Sequence, residues 1–378
     1  MLKDDQTLAQ AVLDHITAGS TDTGTASWRE PVANYRDRHR FDAELRALRR
    51  APAVLCPTAS LAEPGAYLAR EALGVSLLAV RDRDGRVRAF RNACRHRGME
   101  VARGTGCAKA LTCPYHGWTY GLDGGLRHVP HAAGFPDVDR ATRGLVEVAT
   151  VERHGLVFAS QDGTEAEPPE IDEIAGLLTG HTLAGVNEQT EPANWKIVTE
   201  TFLEGLHIRF LHRDTFFPVQ YDNTNVVEHF GPHSRVTFPY RAVARLADRP
   251  PAERRVDGKV TLVHHLFPNA VVATFPGLRL LFVLEPMTPA ETRIVTYSFT
   301  PPAALPTPPT PPTSTDAEPP PGERPLLLDG GDEDFAAARS VQRGLATGAN
   351  EYLEFGLYES AIAHFHRHLD RAVTEVSA

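Results

Sequence analysis

Two short segments, "CRH" at residues 94–96 and "CPYH" at residues 113–116, gather four soft metal ligands into 23 residues of chain. Each offers one thiol and one imidazole: Cys94 with His96, and Cys113 with His116. Only four cysteines occur in 378 residues, too few for a disulfide framework, so the paired ones read as thiolates held by metal. Two thiolates and two imidazoles would complete a tetrahedral zinc shell. Zinc fingers, however, usually group Cys with Cys and His with His. The interleaved order here also suits a two-iron, two-sulfide cluster, one iron taking both thiolates and the other both imidazoles. Cys107 lies between the pairs but fits neither spacing, and Cys56 is remote; both read as ordinary buried thiols.

The wider pattern is Cys-x-His-Arg-Gly followed by Cys-Pro-Tyr-His-Gly-Trp, with sixteen residues between His96 and Cys113. It closely resembles Rieske domains. The resemblance implies a [2Fe–2S] cluster on Cys94, His96, Cys113 and His116, shielded from water by Tyr115 and Trp118.

Around this motif the chain changes character several times. Periodic apolar positions in "TLAQAVLDHI" and "FDAELRALRR" predict helices in the first fifty residues. "VSLLAVRDRDGRVRAF" predicts a hairpin about an Asp-Gly turn, and short strands continue to about residue 163. Several β-branched and aromatic runs between Val236 and Thr300 predict an antiparallel meander, and the tail from Asp332 reads as helix broken near "TGAN". Residues 301–325 are too rich in proline for a packed element and are expected to form a surface loop. The expected domains are 1–50, N-terminal helices packing on the catalytic domain; 51–163, the cluster domain; and 164–378, the catalytic domain. The net charge of −9, without a dense Lys/Arg run, argues against a nucleic-acid surface. The absence of a signal-like start or a long apolar run predicts no membrane association and a reducing cytoplasm.

A second chemical motif follows in "ETFLEGLHIRFLH". Glu200, Glu204 and His207 fall at i, i+4 and i+7, one face of an expected helix, and His212 comes five residues later, where the helix can end or bend. Two histidines and one carboxylate with open positions form the facial triad of non-haem iron(II) oxygenases. A pair of packed or capping histidines is the alternative for His-x4-His taken alone.

With both motifs in this order, the whole chain resembles the α subunits of Rieske non-haem iron oxygenases, the aromatic-ring-hydroxylating oxygenases. Their acid-x3-Asp-x2-His-x4-His pattern is matched by Glu200, Glu204, His207 and His212. The Asp position holds Glu204, as in members acting on carnitine-like quaternary amines. The resemblance implies a third iron ligand in "DEDFAAARSVQRGL", with Asp334 as the candidate and Asp332 and Glu333 as neighbours that could take its place. It also implies an α+β fold, with an antiparallel Rieske β domain inserted beside a helix-grip catalytic domain (a curved antiparallel sheet and a long C-terminal helix). The implied function is a terminal oxygenase component, a mono- or dioxygenase, that hydroxylates or oxidatively demethylates a small organic substrate with O2 at a mononuclear Fe(II). Electrons would come from NAD(P)H through a separate reductase, with or without a ferredoxin, because no GxGxxG pattern follows a strand. Subunits would form a homotrimer in which Glu204 joins His207 to His116 of the neighbouring subunit. The reading from another class is a Rieske electron-transfer or redox-sensing protein with a ligand-binding second domain. Phe216, Phe217, Tyr221, Phe230, Phe275 and Phe282 are candidate pocket walls. His264, His265, His364, His366 and His368 read as packed or solvated, the last three pointing in different directions.

Overall fold

The computed structural model describes residues 1–163, 170–300 and 326–377; the loop expected over 301–325 lies outside them. The chain divides into two compact units, Leu45–Glu170 and Met1–Glu44 with Ile171–Ala378. Its N-terminal elements are α1 (Asp5–Ala18), β1 (Trp28–Pro31), α2 (Ala33–Arg36) and α3 (Arg38–Arg50). α1 begins where the Asp4 carboxylate accepts the Thr7 N–H and ends at Gly19, whose left-handed backbone (φ 60°) releases the chain from the helix.

The unit Leu45–Glu170 is built from β2 (Ala53–Pro57), β3 (Ala66–Ala72), β4 (Val75–Arg81), β5 (Val87–Arg91), β6 (Gly104–Cys107), β7 (Leu111–Thr112), β8 (Thr119–Tyr120), β9 (Leu126–His128), β10 (Glu147–Arg153) and β11 (Leu156–Ser160). Seven strands pair in the order β2-β11-β10-β5-β4-β3-β6, and β7-β8-β9 form a separate small sheet. The expected hairpin is β4–β5, with Arg81 opposite Val87 and Gly85 at φ 84° in its turn. Leu78, Val80, Phe90, Trp118, Tyr120 and Leu122 form a core that also takes in Cys94 and Cys113. Burial pushes the Cys56 thiol up to about 12, in keeping with an inert packed group. Cys107 departs from expectation: it stands exposed on the edge strand β6, its thiol 3.8 Å from Pro64 O.

The other unit continues with β12 (Thr182–Glu191), α4 (Trp195–Glu200), β13 (Val226–Phe230), β14 (His233–Pro239), β15 (Val260–Leu266), β16 (Ala270–Phe275), β17 (Leu278–Thr288) and β18 (Glu291–Thr300), then α5 (Leu326–Leu345), β19 (Tyr352–Phe355) and α6 (Ser360–Ser377). Its sheet runs β12-β18-β17-β16-β15-β14-β13, a meander from β13 to β18 with β12 added at the far edge. α6 buries Ala361, Ile362, Phe365, Leu369 and Val373, one helical stripe. This is the α+β arrangement expected, a curled antiparallel sheet with a C-terminal helix. One pairing escaped the sequence: β1 and β19 form a two-stranded sheet, Trp28 opposite Phe355, that ties the N-terminal segment to the C-terminal one.

Several buried polar groups inside this unit are paired. The Lys196 ammonium donates to both Glu44 oxygens at 2.8 and 2.9 Å, and Trp195 Nε1 donates to the same carboxylate at 3.0 Å. Removing one partner of such a buried pair costs roughly 3–5 kcal/mol, because the other charge is left uncompensated. Histidines follow the 3.6-residue period rather than scattering. His364 and His368 share one face of α6 with ring centroids 4.4 Å apart, and His229 of β13 stacks on His364 at 4.1 Å. His366 lies on the opposite face, fully buried.

Burial, reinforced by neighbouring imidazoles, depresses His233 to about 4 and His265 and His364 to about 3. A histidine that titrates lower when folded than its ordinary value of 6.5 contributes stability that is present above pH 6.5 and lost as pH falls toward those native values. The urea midpoint of the protein is therefore expected to be flat above pH 6.5 and to fall between pH 6 and 4. His364→Gln should flatten that fall; an unchanged slope in the variant would remove the histidines as its cause.

Candidate metal centres

In the first unit two loops present the Cys/His pairs on matching backbone frames. The Cys94 carbonyl accepts the Gly98 N–H at 2.9 Å and the Cys94 N–H donates to Met99 O at 2.8 Å. The Cys113 carbonyl accepts the Gly117 N–H at 3.1 Å, and the Cys113 N–H donates to Trp118 O at 2.8 Å. Gly98 and Gly117 both take φ near +75° (80° and 73°), a conformation that suits glycine. The two turns thus bring thiols and imidazoles to one side. Cys94 and Cys113 are buried, and the His96 and His116 rings meet edge to face at 4.7 Å.

The chemistry of this donor set fits a metal–sulfur group. Burial pushes the Cys113 thiol upward, a cost that coordination as thiolate would offset. His96 Nδ1 is buried without a hydrogen-bond partner, as a metal-directed nitrogen would be. Tyr120 O–H lies 3.2 Å from Cys94 Sγ and accepts the Arg95 N–H at 2.9 Å, placing a hydrogen-bonding group beside the sulfur. Trp118 is buried and stacks on His96 at 5.0 Å. Tyr115 stacks on His116 at 3.7 Å but is 53% exposed, so on this unit's own surface it covers the imidazole without sealing it.

The second motif does not form the expected helical face. α4 ends at Glu200, and the chain from Thr201 to Val219 runs through successive turns. Two local features divert it. Glu204 Oε2 accepts the N–H groups of Leu206 and, at 3.3 Å, of His207, offering the backbone an alternative to helix. Gly205 sits against Asn225, where a Cβ would collide with the amide. The turns still bring the two histidines together, with ring centroids 5.0 Å apart.

α5 completes the site. Asp334 Oδ1 lies 3.0 Å from His212 Nε2 and 3.6 Å from His207 Nε2, and one ligand atom from each residue falls within 4.8 Å of the others. Behind them, His207 Nδ1 donates to Glu204 Oε1, and His212 Nδ1 donates at 2.8 Å to Glu333 Oε2, which also accepts the Thr215 hydroxyl at 2.7 Å. With both Nδ1 atoms committed as donors, both Nε2 atoms present lone pairs to a carboxylate oxygen. Asp334 Oδ1 accordingly has no geometrically sound hydrogen bond despite the short approach. Three acceptors turned on one point fit a divalent cation. Burial lowers the His207 pKa, but the Glu204 hydrogen bond and the charges of Glu204 and Asp334 outweigh it and hold the imidazole above its ordinary range.

These residues form one side of a cavity of about 110 Å³. Phe202, Phe216, Phe238, Phe275, Phe282 and Phe335 supply aromatic walls, with Thr201, Gln220 and Thr261 as neutral polar points. Of the expected wall residues, Phe216, Phe275 and Phe282 are present. Phe217 instead lies under the Arg209 and Arg241 guanidiniums, Tyr221 packs against the α1 core, and Phe230 packs on His233. Phe202, Phe238 and Phe335 escaped the sequence reading because isolated phenylalanines carry no periodic signal.

Residues 51–151 match the family model of the Rieske [2Fe-2S] domain, and residues 166–375 match that of the ring hydroxylating alpha subunit (catalytic domain). The second match covers more than half of the chain. The chain belongs to the ring-hydroxylating α-subunit family. Among relatives of this family member is the carnitine monooxygenase oxygenase subunit of Acinetobacter pittii (strain PHEA-2), 32% identical over 210 residues, or 52% of this chain and 56% of that protein. The choline monooxygenase of Spinacia oleracea is 26% identical over 321 residues, 80% of this chain and 69% of that one. The chain thus spans little more than half the length of the carnitine monooxygenase relatives it matches. Its fold is similar to that of a quaternary ammonium Rieske monooxygenase bound to L-carnitine (TM-score 0.74, 21% identity, 92% of this chain and 96% of that one). It is also similar to naphthalene 1,2-dioxygenase from Rhodococcus sp. (TM-score 0.71, 18% identity, 97% and 98%). Membership implies a Rieske cluster and a mononuclear iron, and the two donor sets described above fit them.

A metal titration separates the three neighbouring acids of α5. Asp334→Ala is expected to abolish stoichiometric Co(II) binding at the histidine site, and Glu333→Ala to weaken it roughly 10–100-fold by freeing the His212 ring. Asp332→Asn should leave affinity within about twofold of the parent, on the order of a surface substitution.

Proposed function

We propose that this chain is a terminal oxygenase component that uses O2 and electrons relayed through its Rieske cluster to hydroxylate or oxidatively demethylate a small organic molecule. The observation that carries this reading is the convergence of His207, His212 and Asp334 on one point at the wall of an aromatic-lined cavity. Cys94, His96, Cys113 and His116 would hold the cluster; His207, His212 and Asp334 would hold the iron. When bound, the iron supplies dioxygen activation and the cluster supplies electrons one at a time. The chain's own residues do the rest. Glu204 and Glu333 fix the ring orientation and tautomer of the two imidazoles. The phenyl walls exclude water and orient an apolar reacting end beside the three ligand atoms. A quaternary ammonium end is a second reading, favoured by the six phenyl faces and by the carnitine and choline monooxygenases among the relatives.

Electron delivery assigns a further role to Glu204. Its carboxylate already holds His207, and apolar side chains stand exposed nearby in sequence: Leu206 and Phe210, the latter 81% exposed. Such a patch beside a half-buried acid supports docking of another subunit's cluster domain, whose His116 and Tyr115 are exposed. Glu204 would then accept an N–H from His116 of the partner subunit, in a homotrimeric ring fed from NAD(P)H by a separate reductase, with or without a ferredoxin.

Purified protein should contain about three irons per chain, two of them in a cluster with Rieske-type magnetic resonance. It should form oxygenated product from a substrate panel when supplied with NADH and a generic reductase. Two irons and no O2-dependent product would leave an electron carrier instead. Glu204→Gln is expected to retain all the iron yet lower turnover roughly 10–100-fold or more; near-parental turnover would exclude the bridging role.

A further inference from the structure

A second concavity adjoins the catalytic cavity. It is an open cleft of about 550 Å³, lined by Pro218, Val219, Tyr240, Arg241, Phe275 and Pro276 among others. Phe275 lines both spaces. The partition continues through an isolated backbone bridge between Gln220, which faces the cavity, and Tyr240, which faces the cleft. Thr261 joins them, accepting from Gln220 Nε2 at 3.4 Å and lying 2.9 Å from the Tyr240 hydroxyl. Phe275 is the last residue of β16, paired with Leu278 across the hairpin tip, with Gly277 at φ 75° in the turn. Its ring can therefore move without breaking the interior of the ladder.

The two spaces differ in charge. Among the described residues lining the inner cavity there is no lysine or arginine, and its ionisable groups are the three ligands themselves. Away from the metal site, a carboxylate entering it would be desolvated with no cationic side chain to offset the loss. The cleft carries one charged lining residue, Arg241. Its guanidinium is held in place by bonds from Nε to Pro218 O (3.2 Å) and from Nη2 to Phe217 O (3.1 Å), and by the faces of Phe217 and Tyr221 at 5.4 and 5.5 Å. Among the described residues no acceptor takes Nη1. A fixed guanidinium with a free N–H is suited to a carboxylate.

Resting on the oxygenase reading, we propose that the substrate spans both spaces: an apolar reacting end in the inner cavity and a carboxylate tail bound by Arg241 in the cleft. Phe275 sets the width of the passage between them. Arg241 and Phe275 are then specificity-determining residues, and the substrate class is a small carboxylic acid attacked at the end remote from its carboxylate.

Calorimetric binding to the holoenzyme tests this with two probes of the same shape, 3-phenylpropionate and 3-phenylpropanamide. The parent protein is expected to bind the acid at least tenfold more tightly than the amide. Arg241→Gln should remove that preference while leaving amide affinity unchanged, and Arg241→Lys should restore part of it. Phe275→Ala should improve binding of 3-(2-naphthyl)propionate at least tenfold. Equal affinity of the parent for acid and amide, or parallel weakening of both by Arg241→Gln, would overturn the proposal, as would no gain for the naphthyl probe. Iron content and cluster signal measured on the same samples separate the outcomes: missing iron sinks the oxygenase reading, whereas intact metals without acid preference sink only the two-space site.

Discussion

The organising constraint in this molecule is electrostatic: three acceptor atoms are turned toward one another and kept so by carboxylates behind them. Imidazoles left to themselves would rotate to donate to Asp334. Glu204 and Glu333 prevent that by each taking one Nδ1–H, which commits the Nε2 lone pairs inward. Three carboxylates around two imidazole rings concentrate negative charge that a divalent cation relieves. Glycine makes the approach feasible: at Gly330 on α5 a side chain would strike the ring of Phe216, which itself packs edge-on to His212. Gly205 does the same against Asn225 on the histidine-bearing segment. A methyl group at either position would force apart the pieces that carry His207, His212 and Asp334.

That segment needs an anchor, because a chain of turns has little stiffness of its own. The anchor is Glu200, the last residue of α4. It accepts the Tyr35 hydroxyl at 2.7 Å and meets His366 Nε2 at 2.8 Å, deep in the unit. His366 Nδ1 in turn lies 3.4 Å from Glu30, which also takes Trp28 Nε1 and the Asn34 amide. Helix α6, strand β1 and helix α2 are thus pinned to the point where the ligand-bearing turns begin. The first acid of the Glu-x3-Glu-x2-His-x4-His pattern has a mechanical explanation: it fixes the root of the segment, and Glu204 fixes its tip.

What the sequence disclosed follows from how local each feature is. Motif spacing is local, so the Cys/His pairs and the two histidines that the structure brings together, His207 and His212, stand out directly, and the β4–β5 hairpin announced itself through Asp-Gly. Asp334 was legible only through family likeness. Nothing in "GGDEDF" says which of three successive acids turns inward; the 100° step of α5 decides it, sending Asp334 to both imidazoles and Glu333 behind His212. The helix expected through Glu204 and His207 failed because a side-chain-to-backbone bond and a crowded glycine outweighed periodicity. Pairing of β1 with β19 and the phenyl walls from Phe202, Phe238 and Phe335 depend on residues far apart in the chain, which no local pattern encodes. The histidines of α6 were misjudged by counting in twos where the helix counts in fours.

The two sides of the histidine pair face different media, and this division bears on how one fold serves many reactions. Behind the rings lie carboxylates with a partly open edge at Glu204; in front lie phenyl groups without a lysine or arginine. On the polar side, geometry is fixed by hydrogen bonds that tolerate little change. On the apolar side, the walls are isolated phenylalanines: Phe238, Phe275 and Phe282 on three strands, Phe335 on α5, and Phe202 and Phe216 on the turn segment. Such residues can be replaced singly at modest cost if volume is kept. Substitutions in the phenyl wall would therefore change the shape of the cavity while leaving the hydrogen bonds behind the imidazoles untouched.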